Sequence, residues 1–134
     1  MKILIDSDVF VSVFKNDDSN HNKALLIAKR ISKDTKYISS FTIPESATVL
    51  SHKVSQVDAV KFLLRTRDDI SKELFEEVPL TSDLVSLSDQ IFITQKRKNI
   101  SWPDCLNMAI MKIHRLDAIF SFDQIYTRNG IKVL

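Results

Sequence analysis

Short β-rich runs alternate with segments of helical periodicity along this chain of 134 residues. The strand candidates are residues 2–5, 37–40, 74–78, 119–122 and 131–134. Between them, apolar residues recur at helical spacing, as Ala24, Ala28 and Ile31 do at i, i+4 and i+7. Short strands that alternate with helices are typical of a mostly parallel sheet with helices on both faces. The sequence therefore predicts an α/β fold.

One domain, spanning residues 1–134, accounts for the whole pattern, because no linker, repeat or low-complexity stretch interrupts it. Gly130 is the only glycine, which excludes the glycine-rich phosphate loops of the common nucleotide-binding motifs. The formal net charge of +2 gives no strong electrostatic indication of nucleic-acid binding.

The cysteine count and the hydrophobic pattern both bear on the cellular compartment. Cys105 is the only cysteine, so no internal disulfide can form. No stretch approaches the roughly 18 apolar residues of a membrane span, and the N-terminus lacks the features of a signal peptide. We therefore expect a cytoplasmic protein with no membrane attachment.

Four acidic residues stand where a strand ends or a helix begins: Asp6, Glu45, Asp104 and Asp123. The carboxyl ends of parallel strands meet at one edge of a sheet, so we expect these side chains to converge there. A pair of carboxylates about 5 Å apart repels by roughly 3 kcal/mol at an effective dielectric near 20. A hard divalent cation is the simplest way to offset that repulsion. The pattern therefore predicts an acidic, metal-binding site at this edge.

Each of these acids also has a purely structural interpretation. The quartets at residues 42–45 and 101–104 read Thr-x-x-Glu and Ser-x-x-Asp, which are capping-box patterns for a helix start. Asp6 can cap the first helix, and Asp123 can close an Asx turn after a strand. Taken singly, each acid is explained as well by a cap or a turn as by catalysis.

Taken together, the acids and their flanking apolar patterns resemble the PIN-domain ribonucleases, and within them the short VapC-like toxins of toxin–antitoxin pairs. The matching motifs are Ile3-Leu4-Ile5-Asp6-Ser7-Asp8-Val9, Pro44-Glu45, Asp104 at the start of an apolar helix, Ile119-Phe120-Ser121-Phe122-Asp123 and Gly130-Ile131-Lys132-Val133-Leu134. The resemblance covers nearly the whole chain. It implies a single PIN-like domain with a mostly parallel five-stranded sheet flanked by helices on both faces.

The resemblance also implies an endoribonuclease that uses Mg²⁺ or Mn²⁺ to cleave RNA phosphodiester bonds. By position, Asp6, Glu45, Asp104 and Asp123 match the acidic quartet of the family. Our hypothesis is that Asp6 and Asp104 contact the metal most directly, while Glu45 and Asp123 hold metal-bound waters or a second ion. The metal would polarise the phosphoryl group and lower the pKa of an attacking water. We expect Ser121 to hydrogen-bond within this pocket.

The toxin group further implies a homodimer and a small cognate antitoxin protein that blocks the acidic pocket. Two alternatives within the family stay open at this point. One is a PIN protein that processes RNA without acting as a toxin. The other is a PIN-like module that binds RNA and does not cleave it.

Asp8 departs from the family pattern, because many relatives carry a small polar amide or hydroxyl at this position. A fifth carboxylate either strengthens metal binding or caps its own helix, and the helix dipole favours the cap. The run Asp6-Ser7-Asp8-Val9 also resembles the first motif of haloacid-dehalogenase-like phosphatases. There, Asp6 would be the nucleophile and Asp8 the general acid. That alternative leaves Glu45 without a role.

Overall fold

The structure, a computed structural model, describes all residues from 1 to 134. Four strands form one sheet: β1 (Lys2–Ile5), β2 (Thr35–Ser39), β3 (Glu76–Val78) and β4 (Ala118–Phe120). Seven helices surround it: α1 (Ser7–Phe14), α2 (His21–Arg30), α3 (Thr42–Lys53), α4 (Gln56–Ser71), α5 (Ser82–Thr94), α6 (Trp102–Ile113) and α7 (Gln124–Arg128). None of these helices combines the length and the apolar character needed to cross a bilayer.

The strand order is β3-β2-β1-β4, and every neighbouring pair is parallel. This confirms the predicted α/β architecture with a parallel sheet. The chain moves outward from β1 through β2 to β3 and then returns to the opposite side of β1 as β4. The winding direction therefore reverses between β1 and β4, and the crevice beyond their carboxyl ends is where such sheets usually bind ligands.

The sheet has four strands rather than the expected five, because the segment at residues 131–134 forms only an isolated bridge. Ile119 pairs with Val133 in parallel. The Ile119 N–H donates to the carbonyl of Lys132, and the Leu134 N–H donates to the carbonyl of Ile119. Since β4 is itself only three residues long, it offers little ladder for a neighbour to extend.

Two hydrophobic cores lie on opposite faces of the sheet. Successive strand residues point to opposite faces, so Ile3 and Ile5 enter one core and Leu4 enters the other. Phe62 of α4 is fully buried in the first core, and Ile110 of α6 is fully buried in the second. Helices therefore cover both faces, as the buried parallel strands require.

One helix boundary differs from the sequence pattern. The pattern predicts that α5 continues to about residue 98, but the helix ends at Thr94. The next residue, Gln95, is extended with φ −69° and ψ 128°, and Asn99 has a left-handed φ of 61°, so neither continues a right-handed helix. Residues 95–100 therefore form the loop that leads into α6.

Candidate active site

Asp6 lies directly beyond β1, at the crevice between β1 and β4, and is 7% exposed. Its Oδ1 accepts hydrogen bonds from the Ser7 N–H at 2.8 Å and from Nδ2 of Asn107 at 3.0 Å. Its Oδ2 accepts from the Ser121 hydroxyl at 2.9 Å. Asp6 is also the N-cap of α1. The same carboxylate is therefore both a helix cap and a buried polar group at the crevice.

Asp104 is held at the start of α6 by the predicted capping box. The Ser101 hydroxyl accepts from the Asp104 N–H at 3.2 Å, and Oδ2 of Asp104 accepts from the Ser101 N–H at 2.8 Å. Oδ1 of Asp104 accepts from the Tyr126 hydroxyl at 3.3 Å. Both oxygens are therefore oriented by the protein, and the helix N-terminus favours their negative charge.

Glu45 does not belong to a capping box, although its quartet matches the pattern. The helix α3 already includes Thr42, its N-cap is Phe41, and no side chain caps it. The Glu45 N–H instead donates to the carbonyl of Phe41 at 3.3 Å. The Glu45 carboxylate is half-buried, and the charges of Asp6 and Asp104 both act on it. The structure therefore brings Asp6, Glu45 and Asp104 together, and we call these three residues the acidic cluster.

The acidic cluster carries negative charge that no basic residue compensates. Burial, followed by the charge of Asp6, raises the pKa of Glu45 to about 7. Burial also raises the pKa of Asp6, and the charge of Asp104 adds to that effect. None of the five ion pairs in the chain involves a residue of the cluster. A positively charged ligand would therefore stabilise this crevice.

Asp8 faces the turn after β4 and makes no hydrogen bond to the start of its own helix. Its Oδ2 accepts from the Phe122 N–H at 2.8 Å and from the Ser121 hydroxyl at 3.1 Å, while its Oδ1 is buried without a partner. The Ser121 hydroxyl also lies 2.9 Å from Oδ2 of Asp6, so one hydrogen serves two carboxylates. Burial, followed by the charge of Asp6, raises the pKa of Asp8 to about 7.

Asp123 lies at the outer margin of the site. Its side chain is exposed, and its Oδ1 accepts from the Ile125 N–H at 2.9 Å as the N-cap of α7. Its charge raises the pKa of Asp8. The predicted acids thus fall into an inner cluster, a bridging residue at Asp8 and an outer residue at Asp123.

Two residues of the site had no role in the sequence interpretation. Asn107 and Tyr126 are 3% and 0% exposed, and Nδ2 of Asn107 donates to the Tyr126 hydroxyl oxygen at 2.8 Å. Burial, followed by the charge of Asp6, raises the pKa of Tyr126, so the phenol keeps its hydrogen. The sequence feature that could have identified Asn107 is its spacing from Asp104. It follows Asp104 by three residues, on the same side of the helix, and it is polar among apolar residues.

The donor set fits a hard divalent cation, although no three acidic, histidine or cysteine side chains already stand in a ready-made ligand arrangement. Each carboxylate oxygen has about two lone pairs. Oδ2 of Asp6 and both oxygens of Asp104 each accept one hydrogen bond, which leaves lone pairs free. Mg²⁺ typically takes one or two carboxylates and keeps several waters. Asp6 and Asp104 together thus offer the number of carboxylates that such a cation takes.

A polar groove of about 630 Å³ adjoins the acidic residues. Asp8 and Asp123 line it together with the exposed cations Lys53 and Arg128. Neither cation forms an ion pair within the chain. No residue of the acidic cluster lines this groove or a separate apolar cavity of about 380 Å³ that Phe10 lines in part. The groove differs from that cavity because Asp8 and Asp123 line it, so it is the surface beside these two acids.

Comparison with known proteins gives a family and a fold. A protein-family model described as the PIN domain matches residues 3–132, and no curated protein matches the sequence significantly. VapC20 of Mycobacterium tuberculosis, described as a sarcin–ricin loop cleaving toxin, superposes with a TM-score of 0.81 and 17% identity, covering 96% of this chain and 95% of its own.

Two further solved structures are similar. FitAcB from Neisseria gonorrhoeae has a TM-score of 0.75 and 18% identity, with 98% of this chain and 96% of that chain covered. A toxin–antitoxin complex from Klebsiella pneumoniae has a TM-score of 0.67 and 18% identity, with 98% and 95% covered. At these identities the likeness shows the shared fold.

Proposed function

The chain belongs to the PIN-domain family, and from that premise we propose that it is an endoribonuclease that cleaves RNA with Mg²⁺ or Mn²⁺. Residues 1–134 would form the nuclease domain. One observation carries the proposal: beyond β1 and β4 the charges of Asp6 and Asp104 both act on Glu45, and no basic residue pairs with any of the three. A site of this kind suits a hard cation and the phosphate oxygens that such a cation binds.

In this proposal, Asp6 and Asp104 hold the cation directly. Glu45 and Asp123 hold its waters or a second ion, and Asp8 and Ser121 support the site through the turn after β4. When bound, the cation supplies Lewis-acid polarisation of the phosphoryl group and a lowered pKa for an attacking water. The protein's own part is to fix the carboxylates, which the capping box at Ser101 and the hydrogen bonds to Asp6 do.

The polar groove would hold the RNA backbone beside Asp8 and Asp123, which line it. Lys53 at the end of α3 and Arg128 at the end of α7 both line it, and both are free of ion pairs within the chain. Phosphate contacts from lysine and arginine position a nucleic acid without reading its sequence. The groove thus supports RNA as the substrate class and leaves the choice of cleavage site to other contacts.

The experiment that tests the nuclease is an incubation of purified protein with single-stranded RNA in Mg²⁺, in Mn²⁺ and in EDTA. We expect cleavage in both metals and none in EDTA. Binding of RNA without cleavage in any metal would instead identify a non-catalytic PIN module. Cleavage that persists in EDTA would overturn the metal-dependent mechanism.

We further propose that the protein is the toxin of a toxin–antitoxin pair and acts as a cytoplasmic homodimer with a small antitoxin partner. The Klebsiella pneumoniae neighbour is described as a toxin–antitoxin complex, and VapC20 is described as a toxin. Induced expression should arrest growth for the wild type and not for Asp104→Asn. Normal growth in both cases would favour an RNA-processing role instead.

The phosphatase alternative has no support in the structure. The family match over residues 3–132 is to the PIN domain. No lysine pairs with Asp6 or Asp8, although that mechanism needs a cation for the phosphate. We expect no hydrolysis of a small chromogenic phosphate ester.

A further inference from the structure

We propose that Asn107 and Tyr126 are positioning residues that hold Asp6 and Asp104 in a fixed mutual arrangement for the cation. The inference rests on the proposed function and deepens it. The chain of contacts runs from Asp6 through Asn107 and Tyr126 to Asp104, and each link is a hydrogen bond. It joins the residue after β1 to α6, 101 positions away in the chain, and α6 to α7.

The chemistry of Asn107 fixes the direction of the first two links. Its Nδ2 lies 3.0 Å from Oδ1 of Asp6 and 2.8 Å from the Tyr126 hydroxyl oxygen. An amide NH₂ has two hydrogens to donate, and the carboxylate of Asp6 can only accept when ionised. The opposite orientation would place the amide oxygen against a carboxylate oxygen. Asn107 therefore donates both hydrogens, one to each partner.

The direction of the Tyr126 bond follows from that of Asn107. The phenol oxygen already accepts from Asn107, so its own hydrogen is free to point at the carboxylates. Oδ1 of Asp104 accepts that hydrogen at 3.3 Å. Asn107 and Tyr126 thus form a continuous chain of hydrogen bonds between the two carboxylates that we propose as direct ligands.

The burial of these groups argues that they serve the acids rather than the core. Polar side chains are costly to bury unless they are hydrogen-bonded, and apolar residues of similar size would fill the same space without that cost. Every polar partner of the Asn107 amide NH₂ and of the Tyr126 hydroxyl belongs to this network. Partners that orient metal ligands in this way typically contribute 10- to 100-fold to metal affinity.

Calorimetric titration of the metal-free protein with Mn²⁺ tests the inference without relying on activity. Tyr126→Phe removes only the phenol oxygen, and Tyr37→Phe is the matched control, since Tyr37 is the only other tyrosine and lies on β2. We expect Tyr126→Phe to weaken Mn²⁺ binding by about 10-fold, within the range for such partners. Tyr37→Phe should bind as the wild type does.

Asn107→Leu provides a second variant that removes both donors while keeping a side chain of similar size. We expect it to weaken Mn²⁺ binding by about 10- to 100-fold. The double variant should weaken binding by less than the product of the two single effects, because residues of one network are not additive. Thermal unfolding in EDTA accompanies each titration, so that binding is measured only where the variant is folded.

The outcomes separate the two proposals. If the wild type binds Mn²⁺ and both variants, although folded, bind it equally well, the positioning role is wrong and the proposed nuclease stands. If the variants lose thermal stability in EDTA while the folded fraction keeps wild-type affinity, the two residues are structural only and the inference is overturned. If the wild type itself binds no Mn²⁺, the metal-dependent function fails and the inference fails with it.

Discussion

The carboxylate of Asp8 accepts a hydrogen bond from the backbone N–H of Phe122 at 2.8 Å, which ties the first turn of α1 to the turn after β4. The two residues are 114 positions apart in the chain. Asp8 therefore connects the two chain segments that flank the crevice between β1 and β4. Its second oxygen is buried without a partner, so its charge is poorly compensated.

This contact predicts different results for two substitutions of Asp8. Asp8→Ala leaves the Phe122 N–H without its acceptor and should cost about 1–2 kcal/mol of unfolding free energy. Asp8→Asn keeps an acceptor for that N–H and removes a charge next to Asp6, so near pH 8 without metal it should be at least as stable as the wild type. Urea denaturation of the three proteins checks this. Equal destabilisation by both substitutions would contradict the assigned contact.

The raised pKa values of Asp8 and Glu45 predict how stability changes with pH in the absence of metal. Their ordinary values are 3.8 and 4.5, and in the folded protein both are about 7. The folded state thus binds these protons more tightly than the unfolded state. Their contribution to stability is fully present below about pH 4 and is lost as the pH rises through about 7.

The Tm of the metal-free protein should therefore fall between about pH 5 and about pH 8, and added Mg²⁺ should restore part of it at the higher pH by binding the folded state. Thermal unfolding in EDTA across this range measures the fall. Glu45→Gln should flatten the profile. A wild-type Tm that rises with pH over this interval would show that the pKa values of Asp8 and Glu45 are not raised in the folded protein.

The polar groove predicts which cations bind RNA. Lys53→Gln and Arg128→Gln should each weaken RNA binding several-fold, because each removes one phosphate contact. Each should also reduce the magnitude of the slope of log affinity against log salt by about 0.7–1. Lys61→Gln is the control, since Lys61 is exposed on α4 and does not line the groove. Anisotropy titrations in the Asp104→Asn background keep the RNA intact. Equal effects at all three positions would indicate general charge rather than this groove.

The sequence pattern predicted the architecture well, because helices and strands are recognised from the apolar periodicity within each segment. The predicted capping box at Ser101 agrees with the structure. The two matching quartets nevertheless behave differently, because the helix start at Thr42 lies one position earlier relative to its acid. That shift depends on how α3 packs, and no local pattern reports it.

The hydrogen-bond network around the acids could not be predicted from the sequence, for a related reason. Asn107 contacts Asp6 across 101 residues and Tyr126 across 19. Only the three-dimensional packing of α6 against α7 and β1 brings these groups together. The sequence offered one hint, a buried amide three residues after Asp104, and that hint has meaning only once the fold is known.

The central claim is that the carboxylate of Asp104 is required for metal-dependent RNA cleavage and not for folding. The most direct measurement is the cleavage rate of one defined RNA at saturating Mg²⁺ for the wild type, Asp104→Asn and Asp83→Asn. Asp83 is the matched control, because it is an exposed acid in the first turn of α5. We predict that Asp104→Asn stays folded by thermal unfolding and loses at least ~100-fold in rate, since several kcal/mol of charge stabilisation is removed. Asp83→Asn should retain the wild-type rate. A folded Asp104→Asn variant that cleaves at the wild-type rate would contradict the account.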